Sequence, residues 1–303
     1  MGGISFRLGR IPVRILPSFF IMTVLLGMAL SSPMAIVGWV VVVLGSVIVH
    51  ELGHATAGLA FGLEPAIALH GSGGTTSWSG SRKLSPGQRI ALSLAGPMAG
   101  FVLGGLAWIA RSQAQAVGFG RFLLDELVFV NFAWGALNLL PILPLDGGDV
   151  MAQLLRALRG SGSERAARVT SLVLAGVGGL VALGMRLYWP AILAASFASM
   201  NWQALRALSA LEHDAPLRAA LEEAYAALEV KDAARVLVLA RPVALEGRTD
   251  TVRAEALQLL AFGFLLTDRV ADADAAIAAM PKGFHPHASL MDLRRGATPQ
   301  GSR

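Results

Sequence analysis

The stretch "SVIVHELGHATAG", Ser46–Gly58, sets two imidazoles and a carboxylate inside one of the most apolar runs of the chain. A charged side chain at bilayer depth costs on the order of 3 kcal/mol, so it persists where it has a partner or a task. His50 and His54 are four residues apart, so on a helix they leave one face a turn apart. That spacing lets both rings reach a single Zn²⁺, with Glu51 beside them as a candidate general base. The competing reading is a pair of core histidines with a structural glutamate. Burying three such groups in an apolar helix without a metal is expensive, and the metal reading is the stronger one.

The surroundings of this stretch set the class of protein. Of 303 residues, 54% are hydrophobic and 15% charged, with a mean hydropathy of +0.60. That balance belongs to membrane proteins. Cysteine is absent and there are six histidines, so a metal site must draw on His, Asp and Glu. The 34 glycines suit close helix packing in lipid. Residues 1–212 hold 14 Lys+Arg against 8 Asp+Glu, and residues 213–303 hold 11 against 12. The basic excess behind the net charge of +5 thus lies in the apolar part, the pattern of membrane-oriented loops. No nucleic acid is expected as a partner.

Six apolar segments follow one another: Pro17–Leu30, Met34–Phe61, Ile90–Ile109, Phe122–Leu140, Val169–Leu187 and Ala191–Leu208. Most approach the roughly 20 residues needed to cross about 30 Å of hydrocarbon. With the N-terminus inside, the inner segments hold eleven Lys+Arg and the outer ones three, Arg111, Arg121 and Arg186. This asymmetry predicts a multi-pass protein of the cell (inner) membrane with both termini cytoplasmic. Composition rich in Ala, Gly and Arg suggests a bacterial source. Between the second and third segments, Ala66–His70 and Thr75–Ser79 alternate around Gly-rich turns and predict an interfacial hairpin. The expected fold is therefore an all-α polytopic membrane protein of about six transmembrane helices, with a short interfacial β-hairpin. A small soluble helical domain follows it. Domain boundaries are expected at 1–210 for the membrane part, 211–285 for cytoplasmic helices and 286–303 for a disordered tail. The helices after Leu208 fall into two pairs that resemble tetratricopeptide repeats; they could receive a regulatory protein, or simply pack on one another.

Zinc needs a third protein ligand that leaves one position open. Glu64 is close in sequence but lies past the helix end, where it reads as a surface residue. "NLLPILPLDGGDV", Asn138–Val150, offers Asp146 just before Gly147 and Gly148, where the backbone can turn sharply. The second and fourth segments both run from outside to inside, so His54 and Asp146 can meet at similar depth. Asp149 is the competitor for this role, or a cap for the helix that follows.

These motifs carry a family likeness. "HELGH" at His50–His54, "SLAGPMAG" at Ser93–Gly100 and "NLLPILPLDGG" at Asn138–Gly148 resemble, in order and spacing, the site-2 protease family of intramembrane metalloproteases, over roughly residues 5–208. The resemblance implies one Zn²⁺ per chain on His50, His54 and Asp146, with Glu51 as catalytic acid/base. Asn138 would position substrate or stabilise an oxyanion. It implies regulated hydrolysis of transmembrane protein substrates within or beside their helices in the bilayer. Gly100 stands where many members carry an asparagine. One rival is a catalytically silent scaffold, or pseudoprotease, recruiting partners through the C-terminal helices; the complete His50, Glu51, His54 and Asp146 set argues against it. A metal transporter would line several polar groups along a path, whereas these gather in one place. Among secondary features, His70 could clamp an extended substrate or serve only its loop. Gly96–Pro97 could bend the third helix near the metal, Asp125 and Glu126 are expected to be solvated, and His285 and His287 to lie on the surface.

Overall fold

The computed structural model describes residues 2–30, 32–80, 82–113, 117–160 and 162–297. The chain divides into two compact units, Met1–Trp202 and Gln203–Arg303.

The first unit opens with β1 (Ile4–Leu8) and β2 (Ile11–Ile15), an antiparallel pair joined by Gly9–Arg10 with Gly9 at φ +59°. β2 alternates as a half-buried strand should: Ile11, Val13 and Ile15 point inward, Pro12 and Arg14 outward. The chain then forms α1 (Pro17–Gly27) and α2 (Pro33–Ala60) before β3 (Glu64–His70) and β4 (Gly73–Ser79). β3 and β4 are antiparallel, with Ala66 opposite Ser77 and Ala68 opposite Thr75. The expected hairpin is thus present, but it is half of a larger sheet. β2 lies parallel to β3, with Val13 opposite Ile67, and the order is β1–β2–β3–β4. Parallel strands need a crossover, here supplied by α1 and α2. Ile11, Val13, Ile15, Ile67 and Leu69 pack with Phe19, Val47 and Ala55 of those helices.

α2 begins at a Ser32 N-cap, whose hydroxyl accepts from the Ala35 N–H at 3.2 Å. It ends where Gly62, at φ +77°, donates to the Leu59 carbonyl and Leu63 to the Gly58 carbonyl, both at 2.9 Å. This paired closure needs a left-handed residue, which glycine supplies without a Cβ clash. β3 starts two residues later.

α3 (Pro86–Gln113), α4 (Gly118–Asn138), α5 (Asp146–Arg159), α6 (Ser163–Gly184) and α7 (Tyr188–Glu229) follow. Helices stand at all six apolar segments. Among the described residues, three of them, α2, α3 and α6, are long and apolar enough to cross a membrane. α1 has 11 residues, a rise of about 16 Å. α4 carries Arg121, Asp125 and Glu126 near its start, and the front of α7 mixes Ser, Asn and Gln into its apolar run. Asp125 is not simply solvated: it pairs with Arg111 of α3 and, at 3.3 Å, with Arg121.

The second unit is built from the end of α7, then α8 (Ala233–Glu246), α9 (Asp250–Leu265), α10 (Val270–Ala278) and α11 (Ala288–Ala297). Leu221, Val236, Val252, Leu259, Phe264 and Leu290 form its core. The segment expected as a disordered tail from 286 is helical over Ala288–Ala297. Leu290 is fully buried in the core, and Arg294 binds the Asp274 carboxylate through two nitrogens, so this stretch has partners that its polar sequence hides. The remainder of that expected tail, 298–303, lies outside the described residues. Asp214 of α7 is 1% exposed. It accepts the backbone N–H groups of Arg248 and Thr249 at 2.8 and 2.7 Å, fastening the turn that starts α9. Burial pushes its carboxyl up, but the Thr249 and Arg248 donors, with His213, outweigh burial and hold it down at about 2.

Candidate metal centre

The helical spacing of His50 and His54 puts both rings on the face of α2 that meets α3 and the start of α5. Their centroids are 4.9 Å apart and the two Nε2 atoms 3.2 Å. The chain returns from α4 through residues 139–145, and Asp146 opens α5. Asp146 Oδ2 lies 3.2 Å from His50 Nε2, and Oδ1 lies 3.3 Å from His54 Nε2. Donor atoms of the three residues fall within 4.8 Å of one another.

This donor set fits a zinc ion. With ligand bonds of about 2.0–2.1 Å, neighbouring vertices of a tetrahedron lie about 3.3 Å apart; the two Nε2 atoms stand 3.2 Å apart, and each faces a different oxygen of Asp146 at 3.2 or 3.3 Å. His50, His54 and Asp146 would hold such an ion and leave a position for a water or substrate oxygen. His54 Nδ1 is 2.8 Å from the Leu92 carbonyl. As the donor in that bond, Nδ1 carries the proton and leaves the Nε2 lone pair facing the cluster. Asp149, the competing carboxylate, is one turn further along α5 and outside the cluster. Glu64, at the start of β3, is exposed as expected.

Glycines let the backbone close on these groups. A Cβ on Gly53 would meet the Ala95 carbonyl of α3, and one on Gly96 would enter the His54 ring. Gly96 therefore makes room beside the site, while α3 continues through Pro97. A Cβ on Gly147 or Gly148 would strike the backbone of Leu139–Leu140 or Ile142–Leu143, so the first turn of α5 lies directly on the incoming loop.

Glu51 points from α2 beneath β4. Its Oε2 accepts from the Thr76 hydroxyl at 2.6 Å, and a Cβ on Gly74 would collide with its carboxylate. Glu51 is 5% exposed. Thr76, Gly74 and the Leu92 carbonyl were not foreseen. The alternation of β4 could have placed Thr76 on the inner face, but a backbone carbonyl carries no sequence signal.

Asn138 ends α4, half-buried, and among the described residues no hydrogen bond joins it to His50, Glu51, His54 or Asp146. The buried amide of α4 is Asn131, seven residues earlier on the same helix face. It is 3% exposed and donates to Ser46 Oγ of α2 at 2.9 Å and to the Leu127 carbonyl at 2.8 Å. A polar letter within an apolar segment was its only signal. His70 serves its own hairpin: one ring nitrogen meets Thr75 Oγ1 at 2.8 Å and the other Ser72 Oγ at 2.9 Å. In the second unit, His287 Nδ1 pairs with Ser289 Oγ at 2.7 Å.

Comparison with known proteins bears on this arrangement. Residues 103–183 match the model of peptidase family M50. A protein of Synechocystis sp. assigned as a zinc metalloprotease, sll0528, is 31% identical over 165 residues, covering 50% of this chain and 43% of its own length. The zinc metalloprotease MJ0392 of Methanocaldococcus jannaschii is 26% identical over 156 residues, 50% of this chain and 44% of that one. The site-2 protease structure from the same organism superposes with a TM-score of 0.53 at 24% identity, covering 67% of this chain and 95% of that one. The matches converge on peptidase family M50 and the site-2 protease fold. The chain spans less than half the length of the curated relatives it matches, and the M50 match covers residues 103–183 alone. The second unit lies outside that match.

Proposed function

We propose that the chain is an intramembrane zinc metalloprotease of the site-2 type, hydrolysing peptide bonds within or next to transmembrane helices of membrane-protein substrates. The observation that carries this reading is the convergence of His50, His54 and Asp146 with Glu51 one residue from the first ligand, inside an apolar helix. His50, His54 and Asp146 would hold the metal. A zinc ion there supplies Lewis acidity, which polarises a scissile carbonyl and acidifies a water. Glu51 takes the water proton on its carboxylate and hands it to the departing amine. Thr76 holds one oxygen of that carboxylate in place, so the other is the one free to take the proton. The apolar walls of α2 and α3 limit water around the site, which strengthens each of these interactions. Asn138 is proposed to position substrate at the cytoplasmic end of α4. A substrate helix must unwind locally to expose a carbonyl, so sequences with Gly or Pro near the cut are favoured.

For topology, we propose six membrane segments with both ends cytoplasmic in a bacterial inner membrane. The bias of Lys and Arg supports this; α1 and the charged front of α4 would complete their crossings at the interfaces. The second unit is proposed as a tetratricopeptide-like docking region for a regulatory protein, supported by its paired helices.

The test compares membrane-protein fragments from cells carrying the native chain with cells carrying Glu51→Gln, by mapping new peptide termini. Termini inside a transmembrane segment that vanish in the variant establish the protease. Identical termini in both, with zinc bound in both, would remove the hydrolytic reading.

A further inference from the structure

The loop that delivers Asp146 is held from two sides. On one side, Gly147 and Gly148 let α5 press on its backbone. On the other, two polar side chains reach it from α6 and α7. Ser171 Oγ accepts the Leu143 N–H at 2.9 Å and donates to the Ala167 carbonyl at 2.8 Å. Asn201 Nδ2 donates to the Leu143 carbonyl at 2.7 Å and to the Phe197 carbonyl at 2.8 Å. Ser171 and Asn201 are both fully buried.

We infer that Ser171 and Asn201 are positioning residues for Asp146, gripping both backbone groups of Leu143 so that the carboxylate arrives in register with His50 and His54. The inference rests on Asp146 being a metal ligand, as proposed above.

Three observations carry it. First, the grip falls three residues before Asp146, within the turn in which Leu145 donates to the Ile142 carbonyl at 2.8 Å and immediately before α5 begins. A shift of Leu143 therefore passes into the first turn of α5 with little chain to absorb it. Second, the surroundings are apolar: Ile142, Leu145, Ala175, Phe197 and Ala198 form a cluster there. A leucine at 201 and an alanine at 171 would suit such a cluster, so packing alone does not call for an amide and a hydroxyl. Third, among the described residues Asn201 Oδ1 is buried without a hydrogen-bond partner. An unmet buried acceptor is a standing cost, retained here at a residue whose two N–H groups are spent on the loop and on its own helix. Groups hydrogen-bonded to a metal ligand commonly set metal affinity by 10–100-fold, and Ser171 and Asn201 act one step further out, on the backbone that carries Asp146.

The test uses the full chain purified in detergent, as the native protein and as Ser171→Ala, Asn201→Leu and His50→Ala. Zinc dissociation constants come from chelator competition, ligand geometry from the visible bands of the cobalt-loaded protein, and fold from the melting temperature of the metal-free protein. We expect Ser171→Ala and Asn201→Leu each to weaken zinc about tenfold and to move the cobalt bands, while His50→Ala loses the metal. A purely structural role would lower the metal-free melting temperature with zinc affinity and cobalt bands unchanged, and that result overturns the inference. Ser171→Ala removes one oxygen atom and decides the matter should Asn201→Leu fail to fold. If His50→Ala keeps native zinc affinity, the metal-site reading itself fails and the inference falls with it. If His50→Ala loses zinc while Ser171→Ala keeps native affinity and bands, the site stands and the inference alone is wrong.

Discussion

The two compact units differ most in the polar groups that they bury. In Met1–Trp202, Val41, Val102, Leu106 and Leu180 are exposed, while Ser46, Glu51, His54, Asn131, Ser171 and Asn201 are buried. In Gln203–Arg303, an apolar core from Leu221 to Leu290 is enclosed, and among the described residues the one buried charged side chain is Asp214. In the first unit the buried polar groups must find one another, as they must wherever apolar side chains face outward. In the second, burial of apolar area drives the packing. Polar contacts should therefore govern chemistry in the first unit, and apolar packing should dominate stability in the second.

The sharpest way to break this contrast is Glu51→Gln. Cleavage of a transmembrane reporter should fall roughly a thousandfold, in line with loss of a general base, with bound zinc and melting temperature at native levels. Unfolding of the variant would mean that the buried carboxylate is structural. Next in size is Leu259→Ala. Deleting a fully buried core leucine costs about 3 kcal/mol, read by thermal denaturation, while zinc content stays at the native level.

Asp214→Ala removes two hydrogen bonds to a charged acceptor and should cost about 2 kcal/mol. The same group makes the second unit acid-sensitive. Its folded pKa of about 2 lies below the ordinary 3.8, so the folded state binds protons more weakly than the unfolded one. Its stabilisation is complete above the ordinary value and is lost as pH falls towards about 2. Acid titration of melting temperature should show this slope in the native chain and not in Asp214→Ala. The smallest effect is expected at Thr76→Val, which removes the hydroxyl held by Glu51. kcat should drop about tenfold, the size of one hydrogen bond to a charged group, with KM retained, and Thr76→Ser should restore it.

How much of this was legible depended on how far each signal travels along the chain. His50, Glu51 and His54 lie within one helical turn, and Asp146 stands before two glycines, so each was visible locally. β3 and β4 were likewise read from neighbouring residues. β2 alternates as plainly and pairs locally with β1, but its second partner is β3, about fifty residues on across two helices, and no local pattern reports that parallel register. In the sequence Arg7, Arg10 and Arg14 read as topology markers, which masks the strands that carry Arg7 and Arg14. In α4, Asn131 and Asn138 share a face two turns apart, and the sequence alone gave no reason to prefer the one that is buried. Ser171 and Asn201 were visible as polar letters in apolar runs, but their partner is the backbone of Leu143, which any residue there would supply. α11 was missed because one buried leucine, Leu290, anchors an otherwise polar helix.

The closure of α2 at Gly62 has a consequence for how this chain can change. Three residues, Phe61, Gly62 and Leu63, separate the helix bearing the two histidines from β3, and β3 turns into β4 through Gly71 and Ser72, so the run from His54 to Thr76 has little slack. One inserted residue between Phe61 and Glu64 would reverse the pleat of both strands and carry the Thr76 hydroxyl to the opposite face of the sheet, away from Glu51. Length variation among natural versions of this chain should therefore avoid residues 54–76 and collect in segments such as the loop between β4 and α3.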